Sequence, residues 1–366
     1  NRRRVTGSSG RRREGRESEP QRPNMSRHLF YSAVLLLVVA MMCCGTCGAA
    51  AAEGNGEKSD LRNFQKQQRV DLFVPQKTPV SRKGQTPSEM RDSFVSPSLV
   101  SAGGVLAAFA EGHKNAQEKG ERIIKPFYSD VVAGYVDSSW DWTTLVDKVN
   151  QSTWKAHTVL SNASVNNRLG GMLNPTTTTK GDKVFLLGGF ELFDEGGSLI
   201  WDKLDLTLVV GNVTNFTGGE PSGRISWDNP KSLSNLKNSA APGLKLERVF
   251  PSGGSGVLME GGTLVLPVFA FDDSGVDFSM IIYSTDDGEN WMLSNGTSPK
   301  ECSNPRITEW EGSLLILVDC EDGQRVYESC DMGTTWTGTI GTLPGVWTKS
   351  QPSPRDLSLH VDSLIT

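Results

Sequence analysis

The chain has 366 residues, 37 basic and 42 acidic, for a net charge of −5. Residues 1–24 carry eight arginines and three glutamates, so the remainder stands at −10, which excludes a general nucleic-acid binder with a basic face. The four histidines (His28, His113, His157, His360) lie far apart, which excludes a histidine-rich metal site, and nothing in the sequence calls for a cofactor.

Residues 1–24 have one aliphatic residue, Val5, and read as a disordered upstream segment. Residues 25–52 read as a secretory signal. Arg27 gives the positive start, Leu29–Cys44 is an apolar run of 16 residues, and small residues follow to Ala52, near which cleavage is expected. The run is short for a membrane span of about 20 residues. No second apolar stretch follows, so no membrane anchor is expected in this chain, which would be secreted or held at the cell surface. Residues 53–68 read as a flexible leader and 69–366 as the folded part. Five glycosylation sequons (Asn150, Asn162, Asn212, Asn215, Asn295) agree with secretion. Of the cysteines beyond the signal, Cys302–Cys320 is the favoured disulfide and Cys330 the spare thiol, with the alternative pairings open.

Beyond residue 69 helical periodicity is scarce. Strand-like runs recur between turn residues: 98–110, 183–192, 206–210, 263–271, 280–284, 314–320 and 325–329. Two segments repeat. Ser284-x-Asp286-x-Gly288-x-x-Trp291 and Ser329-x-Asp331-x-Gly333-x-x-Trp336 start 45 residues apart, each after a strand bearing a tyrosine (Tyr283, Tyr327). An aspartate can accept turn N–H groups, a glycine supplies positive φ, and the tryptophan returns to pack beneath the turn. One such turn per 45 residues predicts four-stranded propeller blades. A degenerate copy is read at residues 135–142. The glycine-rich stretch 251–256 lacks a Gly-Lys-Ser/Thr end and reads as a blade-to-blade turn rather than a phosphate loop.

The repeat resembles the Asp box of sialidases. Residues 69–73, 92–100, 308–312 and 326–329 are similar to the trypanosome trans-sialidase surface glycoproteins. The resemblance implies an all-β, six-bladed β-propeller (the sialidase fold), incomplete here, and an exo-α-sialidase or trans-sialidase activity on terminal sialic acids. That chemistry uses an arginine triad on the sugar carboxylate, a tyrosine nucleophile with a glutamate base, and an acid/base aspartate. Carried over residue by residue, it fits poorly. The first arginine's motif reads Phe94-Val95-Ser96-Pro97. No aspartate follows Ala110-Glu111-Gly112-His113 until Asp130, which precedes the run 131–135. A third aspartate's place reads Asn174-Pro175-Thr176. Glu309 matches the base position, as a vestige. Arg325 is the nearest candidate for a second arginine, beside Gly323 and Gln324. None of Tyr128, Tyr135, Tyr283 and Tyr327 matches the nucleophile. The expected function is therefore a catalytically inactive glycoprotein that binds sialylated or other host glycans, or host surface and matrix proteins, and serves as an antigen. An active sialidase and a non-functional truncated product are the alternatives. Trp140, Trp142 and Trp201 are expected in the core.

Overall fold

A computed structural model describes residues 70–339 except 83–84, 116, 120–121, 126–127, 152, 162–169, 193–204, 215–223, 241–243 and 322. The upstream, signal and leader segments, Asn162, Asn215 and Trp201 lie outside the described residues.

The described residues form a 12-stranded and a 9-stranded sheet, with a separate two-stranded ribbon, Gln117–Lys119 with Arg122–Lys125, and the two large sheets divide into four successive antiparallel blades. Blade 1 runs Ser93–Ala102, Val105–Lys114, Tyr128–Asp137, Ala156–Ser161; blade 2 runs Gly170–Lys180, Lys183–Leu192, Asp205–Val213, Ile225–Trp227. Blade 3 has a broken first strand (Leu246–Pro251, Gly254–Ser255, Val257–Leu258), then Leu264–Asp272, Asp277–Ser284, Met292–Leu293. Blade 4 runs Cys302–Trp310, Ser313–Cys320, Gly323–Ser329, Thr337–Gly338. Short parallel pairings join blades 1 and 2 (Tyr128↔Gly170) and blades 3 and 4 (Phe278↔Cys302). The chain thus has the incomplete β-propeller architecture that its Asp boxes predict.

The core follows from alternation. The strands of blades 2 and 3 are apolar on both faces, because each of these blades packs between two others. Phe109, Val131, Ala133 and Tyr135 of blade 1 meet Val184, Leu186 and Val209 of blade 2. Phe185, Leu187 and Leu208 of blade 2 meet Leu264, Leu266, Met280 and Ile282 of blade 3. Val265 and Ile281 of blade 3 meet Ile307 and Leu314 of blade 4.

Several expectations are corrected. The run 98–110 is no single strand; it turns at Gly103–Gly104, both at positive φ, into a hairpin. The copy at residues 135–142 keeps an aspartate turn, with Asp137 Oδ1 accepting from the Ser139 N–H (2.9 Å), but continues into a helix, Trp142–Asn150. Asp141 caps that helix by accepting the Thr144 N–H (2.7 Å), and Leu145, Val146 and Val149 face inward at helical spacing, half-buried. Trp142 is exposed, and Trp140 lies half-buried under the Lys148 ammonium, so neither is core. Among the described residues no helix is long and apolar enough to cross a membrane.

Candidate functional site

Both Asp boxes form the turns their sequence dictates. Asp286 Oδ1 accepts the Ser284 hydroxyl (2.8 Å) and the Asn290 N–H (2.9 Å), and Gly288 N–H donates to Ser284 Oγ (2.9 Å). In the second box Asp331 Oδ1 accepts from the Ser329 hydroxyl (2.9 Å) and Thr335 N–H (2.8 Å), while Gly333 N–H donates to Ser329 Oγ (2.8 Å). These bonds, Asn290 N–H first in one and the Thr335 hydroxyl first in the other, hold both carboxyls below their ordinary range. Each turn leans on the preceding blade. A Cβ on Gly288 would meet Phe185 Cε1 of blade 2 at 2.2 Å, and one on Gly333 would meet Ile281 Cγ1 of blade 3 at 3.1 Å. Trp291 lies edge-on to Phe185 and donates its indole N–H to Gly288 O (3.0 Å); Trp336 packs against Ile316 and Val318. Lys180, from the first turn of blade 2, pairs with Asp287 and donates to Gly262 O (2.7 Å) of blade 3. The boxes are therefore fasteners between blades, at the end where each first strand turns into its second.

The opposite end of the first strands is built differently. Each first strand breaks its ladder there at residues of positive φ: Ser96 before Pro97 (φ 49°), Asn174 before Pro175 (φ 50°), Gly253–Gly254 (both 76°), and Asn304 before Pro305 (φ 51°). These are β-bulges, with proline sitting where no ladder N–H is needed. The stretch 251–256 is the third of them, inside a blade rather than between blades. The bulges of blades 1 to 3 bond to one another. Ser96 Oγ donates to Asn174 Oδ1 (2.9 Å), Ser98 Oγ donates to Gly254 O (2.7 Å) and meets Thr177 Oγ1 (2.5 Å), and Gly253 N–H donates to Thr176 Oγ1 (2.8 Å). Arg306 of blade 4 reaches this seam, its Cδ 3.8 Å from where a Gly254 Cβ would lie. The first strands of all four blades thus converge on one axis.

Buried charge surrounds the seam in blade 1. Glu111, 4% exposed, accepts the Asn174 N–H at Oε2 (2.9 Å) and meets His113 Nε2 at Oε1. His113 Nδ1 lies 3.2 Å from Ser93 Oγ, directly across the hairpin. Asp130 lies inside the strand Tyr128–Asp137, fully buried, and receives both Nε (2.9 Å) and Nη2 (2.7 Å) of Arg91, with Thr158 as a third donor (2.6 Å). It is consumed by this ion pair and is not presented as an acid or base. On blade 4, Asp319 accepts from Gln324 Nε2 (2.9 Å) and Asn304 Nδ2 (3.4 Å). Arg306 Nη1 donates to the carbonyls of Asn304 (3.0 Å) and Pro305 (3.3 Å).

The residues predicted as a site are not brought together. Glu309 lies near the far end of the strand Cys302–Trp310, five residues past Asn304, or ~16 Å along a strand. Its Oε1 accepts from the Glu260 N–H (3.5 Å), at the Asp-box end. Arg325 is on the third strand of blade 4, half-buried and paired across to Val318. Cys302 and Cys320 are cross-strand neighbours joined by a disulfide, and Cys330 is an exposed thiol in the second Asp box. Asn150 and Asn295 are exposed and Asn212 is half-buried. Sequence reasoning missed Glu111, His113, Asn304 and Asp319 as neighbours of the axis; the Ser-Pro and Asn-Pro dipeptides were the signal for the bulges that gather them. Among the described residues no group of three or more His, Cys, Asp or Glu is set to hold a metal ion. A separate cavity of about 570 Å³ lies away from the axis, between residues 70–79 and the helix, lined by Leu72, Val74, Pro79, Val146, Val149 and Trp154.

A BNR repeat-like domain matches residues 96–363. "Sialidase 85-1.1" of Trypanosoma cruzi is 53% identical over 93% of this chain and 48% of its own length. A sialidase of Paraclostridium sordellii is 26% identical over 72% of this chain and 61% of its own. The solved Trypanosoma rangeli sialidase superposes with a TM-score of 0.62 at 27% identity, over 75% of this chain and 43% of that one. The same enzyme has been solved with sialic acid (TM-score 0.60, 27% identity, 75% and 42%). The chain therefore spans about half the length of the T. cruzi relative it matches over most of its own residues.

Proposed function

Because this chain belongs to the sialidase and trans-sialidase family, we propose that it is a non-catalytic member: a secreted or surface glycoprotein that holds host glycans, or host surface and matrix proteins, and is met by the host as an antigen. The observation that carries this reading is the composition of the axial end. There, among the described residues, the first strands present Val95, Ser96, Asn174 and Asn304, with Arg306 bonding the carbonyls of its own bulge, where sialoside chemistry asks for several guanidinium forks and carboxylic acids. Glu309 is at the other end of its blade, and no described tyrosine stands on a first strand. Burial, with Asp130 second, pushes Tyr128 up to about 12, and burial raises Tyr135 as well, the reverse of what a nucleophile needs. Sialic acid in the T. rangeli enzyme supports a sugar as the ligand class. The test is a fluorogenic sialoside assay on the full chain, run beside a glycan array. Saturable glycan binding without turnover is expected. Turnover abolished by Glu309→Ala would overturn the proposal.

A further inference from the structure

The axial end carries a further inference, which rests on the glycan-binding reading: we propose that it takes an uncharged hexopyranoside rather than a sugar bearing a carboxylate. The bulges of blades 1 and 2 deliver hydroxyl and amide groups there, Ser96 Oγ bonded to Asn174 Oδ1 at 2.9 Å. Two carboxylates stand beneath and beside them, together with His113 and Arg306. Glu111 is 4% exposed and bonded to Asn174 N–H, and Asp319 holds the side chains of Asn304 and Gln324. The guanidinium that reaches the seam, Arg306, spends donors on the carbonyls of its own bulge. His113 is bound to Glu111 and faces Ser93. A ligand carboxylate over Ser96 would meet the like charge of Glu111, which disfavours binding. A neutral pyranose avoids that cost. Its hydroxyls donate to carboxylate and amide oxygens and accept from hydroxyl and amide donors. Val95, directly across the hairpin from Glu111 and 40% exposed, supplies the apolar contact for the C–H face of the ring.

The full chain is titrated by calorimetry and saturation-transfer NMR with methyl β-galactopyranoside, methyl β-glucopyranoside, methyl α-mannopyranoside and a methyl α-sialoside. Saturable binding of a neutral glycoside is expected, with the sialoside weaker or silent. Glu111→Gln keeps an acceptor for Asn174 N–H and is expected to weaken the neutral glycoside roughly tenfold. The surface variant Val95→Asp, which leaves the buried pair intact, is expected to weaken it by a similar ~10-fold. Sialoside binding as tight as the best neutral glycoside would overturn the inference and leave the glycan-binding reading standing. Neutral binding indifferent to both variants would overturn the placement at the axis, and silence toward all four glycosides would overturn the inference and the reading beneath it.

Discussion

At the scale of single residues, Gly288 shows why the Asp box was visible in the sequence. Its roles are local: φ 88°, an N–H on Ser284 Oγ, and no room for a Cβ against Phe185. Gly288→Ala is expected to cost more than about 2 kcal/mol, combining backbone strain with a clash against a buried ring. Gly275 has similar φ (82°) but nothing within 4 Å of a Cβ, so Gly275→Ala should cost only about 1 kcal/mol. Equal losses in urea melts would refute this separation of strain from packing. The pair Arg91–Asp130 is the contrary case. Its partners stand 39 residues apart and nothing local announces them, so Asp130 was read as a residue before a strand. Asp130→Ala strands a buried guanidinium and should cost about 3–5 kcal/mol, seen as a lowered unfolding midpoint.

At the scale of elements, strands were legible where turn residues bound them, as in 183–192 and 314–320, both within a residue of the structure. The bulges were not, because their positive-φ residues recur at unequal intervals of 78, 79 and 51 and are not one residue type. The helix Trp142–Asn150 escapes the sequence reading because only two and a half amphipathic turns stand among strands, and its signal is the Asp141 cap. In blade 4 the disulfide pins the first strand to the second across a separation of 18 residues. Closing a loop of that size contributes about 3 kcal/mol in the chain-entropy picture. Reduction should lower the urea midpoint accordingly, while Cys330→Ser leaves it unchanged. A midpoint insensitive to reduction would show that blade 4 needs no covalent pin.

At the scale of the whole molecule, stability depends on contacts between blades, and one of them titrates. Trp227 of blade 2 donates its indole N–H to Tyr135 Oη (2.8 Å) of blade 1, which leaves the tyrosine O–H for His157 Nε2 (2.9 Å). Burial depresses His157 to about 4 from an ordinary 6.5. The native state thus binds fewer protons than the unfolded chain between those values. This contribution is complete above pH 6.5 and is lost as pH falls toward 4. The loss amounts to at most about 3 kcal/mol. Urea melts from pH 7 to 4.5 should show this slope, and His157→Gln should flatten it; an unchanged slope would assign the acid sensitivity elsewhere. The order of fastening also has a direction. Each Asp-box loop rests on the blade made before it, Gly288 on Phe185 and Gly333 on Ile281. As the chain leaves the ribosome, each of these two loops finds its anvil already forged, so both can close in the order of synthesis.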